Sequence, residues 1–332
     1  MSLAEEISKY GSVAVVGLAK NTGKTVTLNH ILRETHSIGI HIGVTSIGVD
    51  GESVDRVTST GKPEITLYPG MHFATGEAYY RQRLLQSEVV DIGSRNTALG
   101  RVVLARALSI GKVLLSGPSD TASLKRLITA MREEGVGSVL VDGALSRLSP
   151  ASPAVTEAMV LATGAALSPE IDRIVDRTAY VGRLIELPLA EGVDRELLEE
   201  IDAVSAIDEK GRISRREVKS ALQLDRLKDI LAGSGKRIFL PGMATERLLT
   251  YLAGRSDVKE AEIIVRDFTR IFAEPMTLNA YLARGGKISV LRRPRLLAIT
   301  INPWSPQGYT VNEDKLITAL RTRIDVPIYN LK

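Results

Sequence analysis

Along the chain, short runs of aliphatic and β-branched residues alternate with longer stretches in which apolar positions recur every three or four residues. Buried parallel strands joined by crossover helices leave that pattern. It predicts strands over Ser12–Gly17, His41–Ile47, Val113–Ser116 and Ser138–Val141, with helices over Lys24–Glu34 and Ser123–Glu134. The expected fold class is α/β: a doubly wound, mostly parallel sheet. Val54–Gly70 is rich in Gly, Pro, Thr and Ser and runs on into Met71–Arg83. An insertion of that composition is expected to form a flap walling a ligand site. From Glu170 the character changes, to an amphipathic helix reaching about Leu187 and a second over Asp194–Ile201. A β-hairpin follows, Ala203–Ile207 against Arg212–Ser214, with Gly211 in a left-handed turn position. Beyond it, strands at Arg237–Leu240, Ile263–Val265, Leu296–Ile301 and Val326–Asn330 alternate with helices at Ala244–Ala253, Thr277–Arg284 and Asp314–Arg323. The predicted division is a nucleotide-binding domain over 1–168 and a second, smaller α/β lobe over 169–332.

A length of 332 residues favours two lobes over one core. Every apolar run is broken by Gly or a charge before the roughly 18 residues a membrane span needs, so no membrane association is expected. Glu5, Glu6 and Lys9 precede any apolar run, the wrong order for a secretory signal. The absence of cysteine excludes disulfides, thiolate metal sites and cysteine nucleophiles, and a cytoplasmic location is the expectation. The net charge of +4 is spread thinly, with local knots only at Arg215-Arg216 and Arg292–Arg295. Aromatic residues do not interleave with basic ones, so neither a nucleic-acid footprint nor a base-stacking platform is expected.

The chemistry concentrates where the first strand meets the first long helix. Val13–Val16 is apolar and is followed by Gly17-Leu18-Ala19-Lys20-Asn21-Thr22-Gly23-Lys24-Thr25. Five residues separate Gly17 from Gly23, one more than the usual spacing of a phosphate-binding loop. The chemical requirements are nonetheless met. Gly17, Lys20, Asn21, Thr22 and Gly23 offer a run of backbone amides, Lys24 a cation for the outer phosphate oxygens, and Thr25 a hydroxyl for Mg²⁺; the following helix aims its positive end at the anion. A further carboxylate for Mg²⁺ is expected at the carboxyl end of a neighbouring strand. Asp142, closing the apolar run Ser138–Val141, and Asp50, leaving the second strand, are the candidates; solvated turn acids are the alternative for both. The Asn-Lys-x-Asp signature of guanine recognition is absent, which favours ATP. The loop Asn302–Tyr309, with two prolines and the single Trp, reads either as a cap over a base or substrate or as a rigid turn with a packing Trp. His30, His36, His41 and His72 lack metal-binding spacing, and His72, in the flap, is the one marked for testing.

The loop resembles those of dethiobiotin synthetase and related P-loop enzymes and ATPases. Many of them carry a lysine five residues before the loop lysine that serves a neighbouring subunit in a homodimer. Here Ala19 holds that position and Lys20 follows it, which leaves a homodimer open. The stretches Val16–Asn29, Thr45–Glu52, Val141–Arg147 and Ala162–Ala165, with the Asn302-Pro303 loop, resemble the P-loop subunits of lysine 5,6-aminomutase reactivases. That resemblance implies an ATP- and Mg²⁺-dependent accessory factor for an adenosylcobalamin-dependent aminomutase of lysine fermentation. It further implies a MutS-like ATPase subunit and the aminomutase itself as partners; the residue chemistry above puts Lys24, Asp50 and Asp142 in the catalytic roles, Lys24 on the phosphates, Asp142 on Mg²⁺ and Asp50 sensing the outer phosphate. The competing expectation is a free-standing ligase or amidase that activates a small carboxylate with ATP.

Overall fold

Ser12–Gly17 is apolar along most of its length and buried at every position, as a central strand covered on both faces must be. In the computed structural model, which describes residues 2–47, 64–144, 155–215 and 237–331, this is β1. It is followed by β2 (Ile42–Ser46), β3 (Ile65–Leu67), β4 (His72–Gly76), β5 (Ser87–Thr97), β6 (Gly100–Ala107), β7 (Gly111–Val113), β8 (Ser138–Ala144) and β9 (Ala158–Gly164). The strands β10 (Ser205–Ile207), β11 (Ile213–Arg215), β12 (Arg237–Leu240), β13 (Ala244–Thr245), β14 (Glu262–Val265), β15 (Ile271–Phe272) and β16 (Lys287–Val290) come next. The chain closes with β17 (Arg295–Asn302) and β18 (Ile328–Asn330). Among the described residues, nine strands form one sheet in the order β18-β17-β9-β1-β8-β2-β4-β6-β5. It is parallel from β18 to β4 and ends in the antiparallel strands β6 and β5.

Helices cover both faces of this sheet. α1 (Leu3–Ile7) and α2 (Lys24–Ser37) bury Leu3, Ile7, Leu28, Ile31 and Leu32 on the face carrying Val13, Val15, Val44, Phe73 and Leu140. A short helix, α3 (Glu77–Arg81), follows β4. α4 (Thr121–Glu133) buries Leu124, Ile128 and Met131 on the other face, against Val139, Val141, Ala74 and Leu104. Successive β8 residues alternate between the two cores, as the two-residue period of a strand requires. No described helix is long and apolar enough to cross a membrane.

Three expectations change. Val113–Ser116 is not a strand of the main sheet: only Gly111–Val113 is extended, paired antiparallel with β3 in a separate ribbon. The backbone beyond it is satisfied by a side chain, because Thr75 Oγ1 donates to Leu114 O at 2.8 Å and accepts from Ser116 N at 3.1 Å. Within the expected flap, His72–Gly76 is a fully buried strand of the main sheet, next to β2; residues 48–63 lie outside those described. Finally, the chain forms two compact units, Arg183–Arg293 and the remainder, so the residues from Pro294 onward rejoin the first unit. The predicted boundary at 168 and the assignment of 294–332 to the second lobe are corrected accordingly.

Among the described residues, the second unit holds a five-stranded sheet in the order β11-β10-β12-β14-β16. Its strands β12, β14 and β16 are parallel and are linked by the helices Glu246–Ala253 and Pro275–Ala283. The predicted hairpin is present as β10 and β11, with Gly211 at φ 77°. Phe239, Ile264, Leu198 and Leu291 fill one side of the sheet.

Candidate functional site

Strand β1 lies between β9 and β8, and α2 starts within seven residues of its end. The Gly17–Lys24 loop therefore sits at the carboxyl ends of the parallel strands, where open α/β sheets bind ligands. Its conformation is built from both ends. Leu18 N donates to Ala162 O on β9 at 3.0 Å, and the buried Thr22 hydroxyl donates back to Ala19 O at 2.9 Å. Asn21 has φ 63°, the left-handed region that Asn tolerates better than most residues. Gly23, at φ 92°, is the N-cap of α2.

A glycine cap has no side chain to occupy the first-turn amides, and α2 has no side-chain cap bond. By contrast, Asp120 caps α4, Thr245 caps Glu246–Ala253 and Asn312 caps Glu313–Arg321. The start of α2 therefore has first-turn amides that no side chain caps, at the positive end of the helix dipole.

Asp142, one strand over on β8, pairs in register with Val15 of β1 and Ser46 of β2. Its carbonyl is held by Ser46 Oγ at 3.2 Å and Ile47 N at 3.3 Å. Its carboxylate Oδ1 lies 3.0 Å from Lys24 Nζ, with both side chains mostly buried. That contact is an ion pair outside hydrogen-bond geometry, so Oδ1 is buried with no hydrogen bond from any described residue. Such an acceptor is suited to a cation. No described cluster of three His, Asp or Glu residues could hold a metal ion unaided. A metal here would rest on Asp142, the Thr25 hydroxyl and ligand oxygens.

The predicted site residues divide as follows. Gly17, Lys20, Asn21, Thr22, Gly23, Lys24 and Thr25 share the loop and the first turn of α2, and Asp142 is brought to Lys24. Lys20 and Asn21 are exposed, while Thr22 is buried and turned inward. Asp50 lies outside the described residues. His72 is not part of the site: it opens β4 at the amino end of the sheet, opposite the loop. Burial pushes its pKa below the usual histidine value, and its Nδ1 lacks a hydrogen bond among the described residues.

Asn302 was named from the sequence only as the start of the Asn302–Tyr309 loop, and Thr300 and Gly117 were not singled out. Asn302, the last residue of β17, donates from Nδ2 to Asn21 O at 3.1 Å, and Thr300 shares a buried 2.7 Å hydrogen bond with Thr27 of α2. Gly117 presses against the end of β2 so closely that a Cβ there would lie 1.7 Å from Ser46 O. The local signals for Asn302 are a polar residue ending an apolar strand and the Pro303, Trp304 and Pro306 of the loop that it opens. No known protein family, curated protein or solved structure matches the chain.

Proposed function

We propose that this chain is a Mg²⁺-dependent P-loop ATPase that acts on a partner protein, in the manner of the reactivase subunit of an adenosylcobalamin-dependent aminomutase. The observation that carries the nucleotide reading is the uncapped start of α2 beside the Lys24–Asp142 pair, at the carboxyl end of the central strand. The loop amides and Lys24 bind and orient the phosphates of ATP. Thr25 and Asp142 would hold Mg²⁺, which would supply positive charge to offset that of the phosphates. Lys24 leaves Asp142 for the phosphate, and Asp142 is thereby freed for the metal. Asp50 completes the proposal as the group that senses the outer phosphate.

Partner direction is supported by the antiparallel edge of the sheet. Leu84, Val89, Ile92, Leu108 and Ile110 are exposed within and beside the β5–β6 hairpin, with Leu84 and Ile110 more than 60% exposed. Apolar side chains concentrated in this way suit a protein contact more than a small-carboxylate pocket.

The test is Mg·ATP binding and turnover by the purified chain, alone and with inactivated aminomutase plus its MutS-like partner. Stimulation by those proteins is the expected result. Turnover that depends on a small carboxylate and ignores the proteins would replace this reading with the ligase. Lys24→Ala is expected to weaken Mg·ATP binding by roughly a hundredfold and, because Asp142 loses its ion-pair partner, to lower the melting temperature by about 2–6 °C without unfolding the chain.

A further inference from the structure

The phosphate loop is completed by a residue from the far end of the chain. Asn302 uses both halves of its amide: Nδ2 donates to Asn21 O at 3.1 Å, and Oδ1 accepts from Trp304 N at 3.2 Å. Its backbone is fixed as well, since Asn302 O accepts from Ala165 N at 2.8 Å. Gly164 comes so close there that a Cβ on it would lie 2.0 Å from that oxygen. On the loop side, a Cβ added to Gly23 would lie 3.0 Å from Asn302 Cβ. Asn302 thus touches the two positions of the loop that have positive φ, Asn21 and Gly23.

Asn21 O is the carbonyl of a non-glycine residue in the left-handed region, and one hydrogen bond from outside the loop engages it. A carbonyl turned toward a bound phosphate would repel it; one taken up by Asn302 does not. We infer that Asn302 is a positioning residue for the phosphate loop: its amide holds Asn21 in the left-handed conformation that lines the loop amides up on the anion. This inference rests on the nucleotide reading given above and adds a role for a residue that need not touch the phosphates. Its side chain is committed to Asn21 and Trp304 in the described structure.

Trp304, the only tryptophan of the chain, is about half exposed and bonded to the same amide, which provides a fluorescence signal for the experiment. Mg·ATP is titrated into the full chain as wild type, Asn302→Ala, Asn21→Gly and the double variant, with calorimetry as the second readout and melting temperature as the fold control. Loss of one hydrogen bond to the loop is expected to weaken binding about fivefold in Asn302→Ala. Asn21→Gly, which removes the steric penalty at positive φ, is expected to restore most of that loss in the double variant. Wild-type affinity within about twofold in Asn302→Ala would overturn the inference, as would a loss that glycine at position 21 does not repair. If the wild type binds no Mg·ATP at all, the nucleotide reading falls and this inference with it. Tight wild-type binding that Lys24→Ala abolishes and Asn302→Ala leaves intact overturns the positioning role alone.

Discussion

His72 shows what a single buried base does to stability. It is 5% exposed on β4, and burial is the main cause of its lowered pKa. The nearby Glu134 and Glu88 pull the value up, while Arg106 and His41 push it down further. With a folded value below the unfolded one, the unfolded chain binds the proton more readily. The contribution of neutral His72 is therefore fully present above the ordinary value of 6.5 and is lost as pH falls below it. Urea midpoints measured between pH 7.5 and 5.5 are expected to decline, and His72→Asn is expected to flatten part of that decline. Lys24 and Asp142 show the opposite arrangement, two opposite charges held 3.0 Å apart, each with about a quarter or less of its side chain exposed. The places of Lys24 at the start of α2 and of Asp142 late in β8 were legible in the sequence because each follows from local pattern. His72 misled because its neighbours read as loop, whereas its strand neighbours are Gly43 and Arg106.

At the scale of elements, the first strand, the helix after it and the strand carrying Asp142 were legible, since each is either continuously apolar or periodic, although that strand runs two residues past Asp142 to Ala144. Others were not. Ala158–Gly164 is entirely buried, yet its run of Ala, Met, Thr and Gly lacks the β-branched density that marks a strand. The β5–β6 hairpin carries Glu88, Asp91, Arg95 and Arg101 on an edge, where charge protects an open strand and hides the alternation. The join between α2 and β17 depends on a pair distant in sequence, the buried Thr27 and Thr300 hydroxyls at 2.7 Å. Thr27→Val leaves the Thr300 hydroxyl buried without that partner and is expected to cost about 1–3 kcal/mol. The Thr27→Val/Thr300→Val double variant is expected to be less destabilised than the sum of the singles, because no hydroxyl is then orphaned. Urea unfolding of the four members of that cycle measures the coupling.

The first of the two compact units is an α/β domain whose chain leaves near the end of α5 (Ile171–Ile185) and comes back as β17. The insertion brings its own ends together. Val290 N donates to Pro188 O at 2.9 Å, Ala190 N donates to Val290 O at 2.9 Å, and Arg293 Nη1 donates to Glu186 O at 3.0 Å. Replacing 188–290 by a short Gly-Ser linker is therefore expected to leave a folded protein that still binds Mg·ATP through Lys24, read by Trp304 fluorescence. Loss of all binding in that variant would make the inserted unit part of the nucleotide site. Sequence reading placed 294–332 in the second lobe because its strands and helix alternate like those before them; only pairing with β9 reveals where β17 belongs.

This connectivity also sets an order of manufacture. Asn21 and Asn302 are 281 residues apart. At synthesis rates of about 5–20 residues per second, the strand carrying Asn302 leaves the ribosome some tens of seconds after the loop it secures. The inserted unit is translated in that interval and can fold first. A growing chain thus carries the Gly17–Lys24 loop without the bond from Asn302 until β17 has emerged, and only from then on can Asn21 O be engaged from outside the loop.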